Sequence, residues 1–95
     1  MYPKVKFKLG QVVMTRGVND KVAENERFAK FVLDCLKRHA NGDWGDLCQE
    51  DIQENKLSLK QGFRLLSAYK NGEEKIWIIT EADRSATTIL FPEEY

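Results

Sequence analysis

A chain of 95 residues, 42% hydrophobic and 32% charged, has the composition of one small folded domain and lies outside the range of disordered chains. Its 15 Lys and Arg residues balance 15 Asp and Glu residues. No uniform field therefore steers the protein to nucleic acid or to an anionic membrane, and weak self-repulsion favours self-association. No apolar run could span a bilayer and no signal-peptide core is present, so we expect a cytoplasmic protein.

The N-terminal segment alternates between apolar and basic residues. Val5, Phe7 and Leu9 alternate with Lys4, Lys6 and Lys8. Gly10 and the run 11–15 follow, which predicts one or two short strands broken at Gly10. The lysines are interpreted as the solvated face of an edge strand. A nucleic-acid patch is the alternative, although three charges supply only part of a phosphate footprint.

Two helical segments are predicted next. The first is capped at Asn19-Asp20 and stops at Asn41-Gly42. The second runs from about residue 46 to about residue 60 and ends at Gly62, with two short helices meeting near Asn55 as an alternative. The first helix carries an apolar stripe at three- and four-residue spacing, formed by Phe28, Phe31, Val32, Cys35 and Leu36 and continued by His39.

Strand-like runs follow Gly62, at residues 63–69, 76–81 and 87–91, and they most simply form an antiparallel meander. The run Ile76-Trp77-Ile78-Ile79 is apolar on both faces, which predicts an interior strand covered on both sides. Helices provide one cover. The other is the N-terminal strand segment, a partner subunit or a ligand.

These patterns together predict one α+β domain over residues 1–95. Its N-terminal part holds one or two short strands and two helical segments. Its C-terminal part is a three-stranded antiparallel meander packed against the helices.

Metal and disulfide chemistry have few candidate residues. Cys35 and Cys48 are interpreted as free thiols, because structural disulfides rarely persist in a reducing cytosol. The only histidine is His39, and without a second histidine it makes a weak metal set. We therefore predict neither a metal nor a cofactor. The carboxylates that would join His39 are Asp43, Asp46 and Asp51.

His39 has two readings. A histidine in the last turn of a helix interacts with the dipole and the exposed carbonyls, and this interpretation is favoured. The other is a general acid or base.

The segment 42–46 is a specific turn in which two glycines bracket Trp44 and two acids. Structurally, Gly42 caps the first helix, Trp44 fills the core, and Asp43 or Asp46 caps the next helix. Trp44 and Trp77 are the large aromatic candidates for a binding surface, although the core is the favoured place for both.

The polar loop between the last two strands is the third candidate. Glu81 and Asp83 beside Arg84 would orient a guanidinium toward phosphate, with hydroxyl groups added by Thr88 and its neighbours. The alternative, which is favoured over the phosphate site, is a turn whose Asp and Ser side chains bond the backbone. No glycine-rich phosphate loop, CxxC pair, HExxH motif or nucleophile elbow occurs.

Four segments resemble a family of small bacterial proteins labelled plasmid-related or hypothetical, and sometimes restriction-enzyme subunit. The resemblance implies a bacterial origin and a link to mobile elements, and it transfers no catalytic residue. The segment from about residue 16 to 28 is longer than the family pattern. The resembling segments are Leu9-Gly10-Gln11-Val12-Val13, Gly42-Asp43-Trp44-Gly45, Leu65-Leu66-Ser67-Ala68-Tyr69, and residues 76–85 continuing to Glu94-Tyr95.

Two functions are therefore considered. The first is a non-enzymatic interaction module that binds a host protein or its own copy, with binding residues among Trp44, Trp77, Asp83, Arg84 and Thr88. The second is a small metal-independent ribonuclease, by fold-level analogy. It would use His39 as general acid or base, Glu81 as its partner, and Arg64 or Arg84 for phosphate charge. This second hypothesis requires His39 and the loop 81–88 to open on one cleft.

Overall fold

A computed structural model describes residues 7–95. Three helices and a four-stranded sheet within these residues confirm the predicted α+β class. A 3₁₀ turn, Pro92–Glu94, follows the last strand. In chain order the elements are β1 (Gln11–Met14), α1 (Arg16–Glu24), α2 (Glu26–Ala40), α3 (Gln49–Gln61), β2 (Leu65–Asn71), β3 (Glu74–Thr80) and β4 (Ala86–Leu90).

The sheet has the strand order β1-β4-β3-β2. Strands β2, β3 and β4 form the predicted antiparallel meander. The predicted interior position of residues 76–79 is confirmed, since β3 pairs with a strand on each side. Strand β1 joins parallel to β4. The N-terminal strand is confirmed only for 11–14: residues 7–9 are not in a strand, and residues 4–6 lie outside the described part of the chain.

The predicted first helix is two helices. Its predicted start at Asn19-Asp20 is wrong, because α1 already begins at Arg16. Asn25 lies between α1 and α2 in an extended conformation, with φ −138°, and its side-chain oxygen accepts a hydrogen bond from the Phe28 N–H at 3.1 Å. Asn25 is therefore the N-cap that starts α2. The helix α3 continues through Asn55, and Gly62 ends it in the left-handed region at φ 77°.

One face of the sheet carries the core. Helices α1 and α2 pack on this face, whereas α3 contacts the sheet at the edge strand β2. None of the helices in residues 7–95 combines the length and the apolar character needed to cross a membrane. The buried cluster consists of Val18, Phe28, Val32, Cys35, Tyr69, Ile76, Ile78 and Ile89.

The opposite side of the sheet, which we call the outer face, is made by the alternate residues of the same strands. The pairings Leu66 with Ile79 and Trp77 with Leu90 place these side chains away from the core. Strand β1 contributes Val13 to the outer face, since Val13 pairs with Thr88.

Candidate functional site

His39 lies in the protein interior and has no exposed surface. Helix α2 presents it to the sheet, where Nδ1 lies 2.6 Å from the Ser67 Oγ and Nε2 lies 2.9 Å from the Thr80 Oγ1. Both ring nitrogens therefore bond strand hydroxyls and not the helix-end carbonyls that the sequence interpretation favoured. Since the partners come from β2 and β3, local sequence carried no signal for them.

The direction of each hydrogen bond around His39 can be assigned by starting from Thr87, the last hydroxyl in the series that begins at His39. Thr87 Oγ1 donates to the Leu9 carbonyl at 2.7 Å, so it accepts from Thr80 Oγ1 at 2.8 Å. Thr80 has then used its only proton and accepts from the His39 Nε2–H, while Ser67 donates to Nδ1. Every group in this network is satisfied when the imidazole is neutral with its proton on Nε2.

The charge state of His39 agrees with that network. Burial, and to a smaller extent the positive charge of Arg84, together lower the pKa of His39 to about 4. The rings of Phe7 and Trp44 lie edge-on to the imidazole, with centroids 5.3 and 5.5 Å away. At neutral pH His39 is therefore an uncharged core residue, enclosed by aromatic rings and hydroxyl groups.

The residues of the ribonuclease hypothesis do not share a cleft with His39. Glu81 and Arg64 are brought together near the surface, where Arg64 Nε lies 3.7 Å from Glu81 Oε1. His39 is fully buried, so a surface cleft at this pair does not reach the imidazole. The ribonuclease stays a prediction, but the geometry gives its proposed acid or base no access to RNA.

Arg84 is directed at the protein's own backbone. Its Nη1 donates to the carbonyls of Phe63 at 2.7 Å and Glu81 at 3.1 Å, and its Nη2 donates to the Ser58 carbonyl at 3.1 Å. Arg84 itself adopts φ 60°, in the left-handed region. The guanidinium thus links the last turn of α3, the segment between α3 and β2, and the β3–β4 loop. Both Nη groups donate to carbonyls inside the protein, which favours the turn interpretation over the phosphate site.

The remaining loop candidates have structural contacts. Asp83 Oδ1 accepts a hydrogen bond from the Ser85 N–H at 3.0 Å, as in the turn interpretation. This bonding lowers the pKa of Asp83, with the Ser85 side chain as the first cause. Thr88 is half-buried on the outer face of β4. The loop 81–85 is therefore a turn held by hydrogen bonds within the loop.

Trp44 is buried, as the core interpretation predicted. Its carbonyl accepts from the Ala68 N–H at 3.2 Å, and the Asp46 N–H donates to the Ala68 carbonyl at 2.7 Å. The segment 44–46 therefore pairs with the free edge of β2. The predicted capping of the next helix by Asp43 or Asp46 is not found, because the N-cap of α3 is Cys48.

Asp43 instead stabilises the turn itself. It forms an ion pair with Arg38, with Arg38 Nε 2.7 Å from Oδ2, and its Oδ1 accepts from the Gly45 N–H at 3.2 Å. The hydrogen bond from Arg38 lowers the pKa of Asp43. Both cysteines are free thiols, Cys35 buried and Cys48 exposed.

The surface with the chemistry of a binding site lies on the outer face. Trp77 and Tyr95 pack edge to face with centroids 5.7 Å apart, and Arg64 Nη1 donates to the Tyr95 hydroxyl at 2.9 Å. A cleft of about 280 Å³, the outer-face cleft, is lined by Arg64, Leu66, Trp77, Ile79 and Tyr95. Of these residues, sequence reasoning named Trp77 for binding and Arg64 only for catalysis.

A second depression of about 270 Å³ adjoins the outer-face cleft and shares Arg64 and Leu66 with it. Three acidic residues of α3 line it, and we call it the acidic groove. These residues are Glu50, Asp51 and Glu54. An apolar cleft therefore continues into a negatively charged groove across the β2 edge.

No family model, curated protein or solved structure matches the chain. In residues 7–95, no group of three or more His, Cys, Asp and Glu side chains is placed to hold a metal ion.

Proposed function

We propose that this chain is a non-enzymatic protein-interaction module, an accessory protein of the bacterial cytoplasm linked to plasmids or other mobile elements. The bacterial and mobile-element parts of this proposal rest on the four resembling segments. The interaction role rests on the outer-face cleft. Its partner is a protein segment that inserts an apolar side chain into the cleft and places a basic residue in the acidic groove.

The composition of the outer-face cleft carries this proposal. Trp, Tyr and Arg are the residues most enriched among the anchors of protein interfaces, and the cleft contains one of each. Ile79 is buried, whereas Tyr95 is 69% exposed. An apolar side chain entering the cleft would therefore remove aromatic surface from water without first unfolding any element.

The acidic groove supports the choice of partner. Glu50, Asp51 and Glu54 lie beside the cleft, and Arg64 stands between the two depressions. A basic residue next to the apolar anchor would meet this negative charge, whereas a phosphate-bearing partner would be repelled. This arrangement disfavours nucleic acid as the ligand and favours a peptide segment with mixed apolar and basic character.

The test compares capture by the wild-type chain with capture by three variants. Tyr95→Ser removes an exposed anchor and Glu54→Lys reverses a charge of the groove. Leu33→Ser is the matched control, because Leu33 is 51% exposed on α2, away from the outer face. A partner captured from bacterial lysate is purified and its affinity is measured by calorimetry.

We expect Tyr95→Ser and Glu54→Lys each to weaken binding by about tenfold or more, and Leu33→Ser to have little effect. Binding by the wild-type chain should also weaken as salt is added, since the groove contributes charge. A partner that binds both cleft variants as tightly as the wild type would contradict docking at this surface. A chain that captures no partner and does not self-associate would contradict the interaction role.

A further inference from the structure

The two edge strands of the sheet, β1 and β2, differ in how far other residues of the described chain cover their outer edges. The free edge of β2 is covered by the segment 44–46 and by the side chain of Asn55. The edge strand β1 pairs with β4 on one side, and among residues 7–95 no strand pairs with its other side. All four β1 residues are exposed, with Val12 at 41% and Val13 and Met14 at 37% each.

Apart from its short length of four residues, the β1 strand in the described part of the chain carries none of the sequence features that prevent pairing between molecules. Soluble proteins protect exposed edges with very short strands, lysine, proline, bulges, inward-pointing charges or a covering helix or loop. The sequence Gln11-Val12-Val13-Met14 contains no charged residue, proline or glycine. Phe7, which precedes β1, lies near β2, at the opposite edge of the sheet, since its ring stacks on Trp44 and the Trp44 carbonyl accepts from the Ala68 N–H of β2.

The backbone bonds to β4 identify the groups that face outward. The Gln11 N–H donates to the Ser85 carbonyl and the Thr15 N–H donates to the Ile89 carbonyl, both at 3.0 Å. Since backbone groups alternate in direction along a parallel strand, Val13 also faces β4. The N–H and C=O groups of Val12 and Met14 therefore point away from the sheet.

We propose that a second copy of this chain pairs with the β1 edge, antiparallel about a two-fold axis at Val13. In this register Val12 lies opposite Met14 of the other copy, and each such pair exchanges both of its backbone bonds. Every outward group of both copies is then satisfied. The two sheets become one continuous sheet, and the two Val13 side chains face each other on the outer face.

Other symmetric registers use fewer of these groups. Centring the axis on Val12 would require Gly10 to pair with Met14, but Gly10 has φ 65° and is not extended. Centring it on Met14 would require Arg16 to pair, but Arg16 belongs to α1. The symmetric register at Val13 is therefore the one that the local backbone supports.

The chain's neutral charge and the self-complementary register at Val13 favour a second copy as the partner. The formal net charge is zero, so two copies do not repel each other, and the paired segment itself is uncharged. The short strand limits the buried area to the range of weak complexes. We therefore expect a reversible dimer whose population rises with protein concentration.

This inference extends the proposed interaction role to a second surface, separate from the outer-face cleft. The first test uses charge at the axis. Val13→Lys and Val13→Glu each place two like charges face to face in the dimer, while the half-exposed site lets the single chain stay folded. A mixture of the two variants places opposite charges face to face.

We expect light scattering with size-exclusion chromatography to show the wild-type mass rising toward twice that of the 11.0 kDa chain with increasing concentration. Each variant alone should associate at least about tenfold more weakly, and the equimolar mixture should recover association. A wild-type chain that stays monomeric at millimolar concentration, or a mixture no better than its components, would overturn the proposal.

The second test fixes the register by disulfide trapping in a Cys48→Ser background, since Cys48 is the exposed thiol. Val13→Cys should cross-link rapidly under mild oxidation, because the two side chains meet at the axis. Gln11→Cys is the control on the same face. In the proposed register two Gln11 residues lie about 13 Å apart, too far for a disulfide. Cross-linking at Gln11 in preference to Val13 would overturn the register.

The outcome at the β1 edge is independent of the outcome at the cleft. If the chain is monomeric and still loses a partner on Tyr95→Ser, the self-pairing inference fails and the proposed function stands. If the dimer forms and no partner depends on the cleft, the self-pairing inference stands and the outer-face docking fails.

Discussion

The side chain of Asn55 bonds both backbone groups of Leu66. Asn55 Nδ2 donates to the Leu66 carbonyl at 2.6 Å, and Asn55 Oδ1 accepts from the Leu66 N–H at 3.2 Å. A buried amide on α3 thus takes the place of a neighbouring strand at the β2 edge. It both positions α3 and satisfies an edge that would otherwise attract another chain.

Replacing Asn55 should therefore destabilise the fold. Asn55→Ala leaves two backbone groups of Leu66 without partners, and we expect a loss of about 1 to 3 kcal/mol in the free energy of unfolding. Asn55→Asp keeps an acceptor for the N–H but sets a carboxylate against the carbonyl, so it should cost at least as much. Urea unfolding followed by circular dichroism measures both, with the exposed neighbour Gln53→Ala as control. Equal stabilities of Asn55→Ala and Gln53→Ala would contradict this role.

The approach of Gly45 to β2 gives a second prediction. Gly45 has φ 74°, and a Cβ at this position would meet the Ala68 carbonyl oxygen and the ring of Tyr69. Gly72 has φ 65° but open space around it. Gly45→Ala and Gly72→Ala therefore share the backbone strain, of about 1 kcal/mol, and differ in the clash.

We expect Gly45→Ala to lower the free energy of unfolding by several kcal/mol and Gly72→Ala by only about 1 kcal/mol. Thermal unfolding of the two variants checks the difference. In a protein of this size a difference of 1 kcal/mol corresponds to about 4 to 8 °C in melting temperature. Similar melting temperatures for the two variants would show that the segment 44–46 can move away from β2 at little cost.

Local patterns predicted much of this fold. The apolar run 76–79 predicted an interior strand, and Gly62 predicted the end of α3, because both features depend on nearby residues alone. The break between α1 and α2 was missed because the helix start was placed at Asn19-Asp20, whereas the residue that caps α2 is Asn25. The parallel pairing of β1 with β4 was also missed, since it joins residues about 75 positions apart in sequence and no local pattern encodes such a pairing.

The candidate sites were less predictable than the fold. His39 was interpreted as interacting with the carbonyls at the helix end, but its partners are Ser67 and Thr80 on two distant strands, which local sequence does not identify. The loop around Arg84 suggested a phosphate site because the sequence shows a guanidinium and hydroxyl groups, but it does not show that the guanidinium donates to backbone carbonyls. Tyr95 joined Trp77 only because the chain returns over the outer face after β4.

The buried imidazole of His39 predicts a specific acid sensitivity. The folded-state pKa of about 4 lies below the ordinary 6.5, so the unfolded chain takes up a proton first as the pH falls. The contribution of neutral His39 is complete above about pH 6.5 and is lost between there and about pH 4. The integrated effect is roughly 3 kcal/mol.

We expect the free energy of unfolding to fall measurably between pH 6.5 and 4.5 in the wild type, and to change less in His39→Gln. Carboxylates whose pKa values are lowered, such as Asp43 and Glu94, lose their contribution mainly below this window, so they do not mask the effect. Urea unfolding at several pH values measures the slope. Parallel slopes for the two proteins would mean that His39 is accessible to protons in the folded state.

The Arg84 side chain has two roles, an electrostatic effect on His39 and a structural role in the loop, and substitutions can distinguish them. Its positive charge lowers the pKa of His39, while its planar donors hold backbone carbonyls of three segments. Arg84→Gln removes the charge, and Arg84→Lys keeps the charge but lacks the planar fork of donors. Both variants should be less stable than the wild type, for the same structural reason.

Only Arg84→Gln should raise the pKa of His39, and only in part, because burial is the larger cause and remains in both variants, while the charge remains in Arg84→Lys. Titration of the His39 ring protons by NMR measures this pKa directly in the folded protein. His39 is the only histidine, so the signal is unambiguous. If both variants raised the pKa equally, the cause would be water entering the loosened loop and not the loss of charge. A pKa unchanged in both variants would show that burial alone keeps the imidazole neutral.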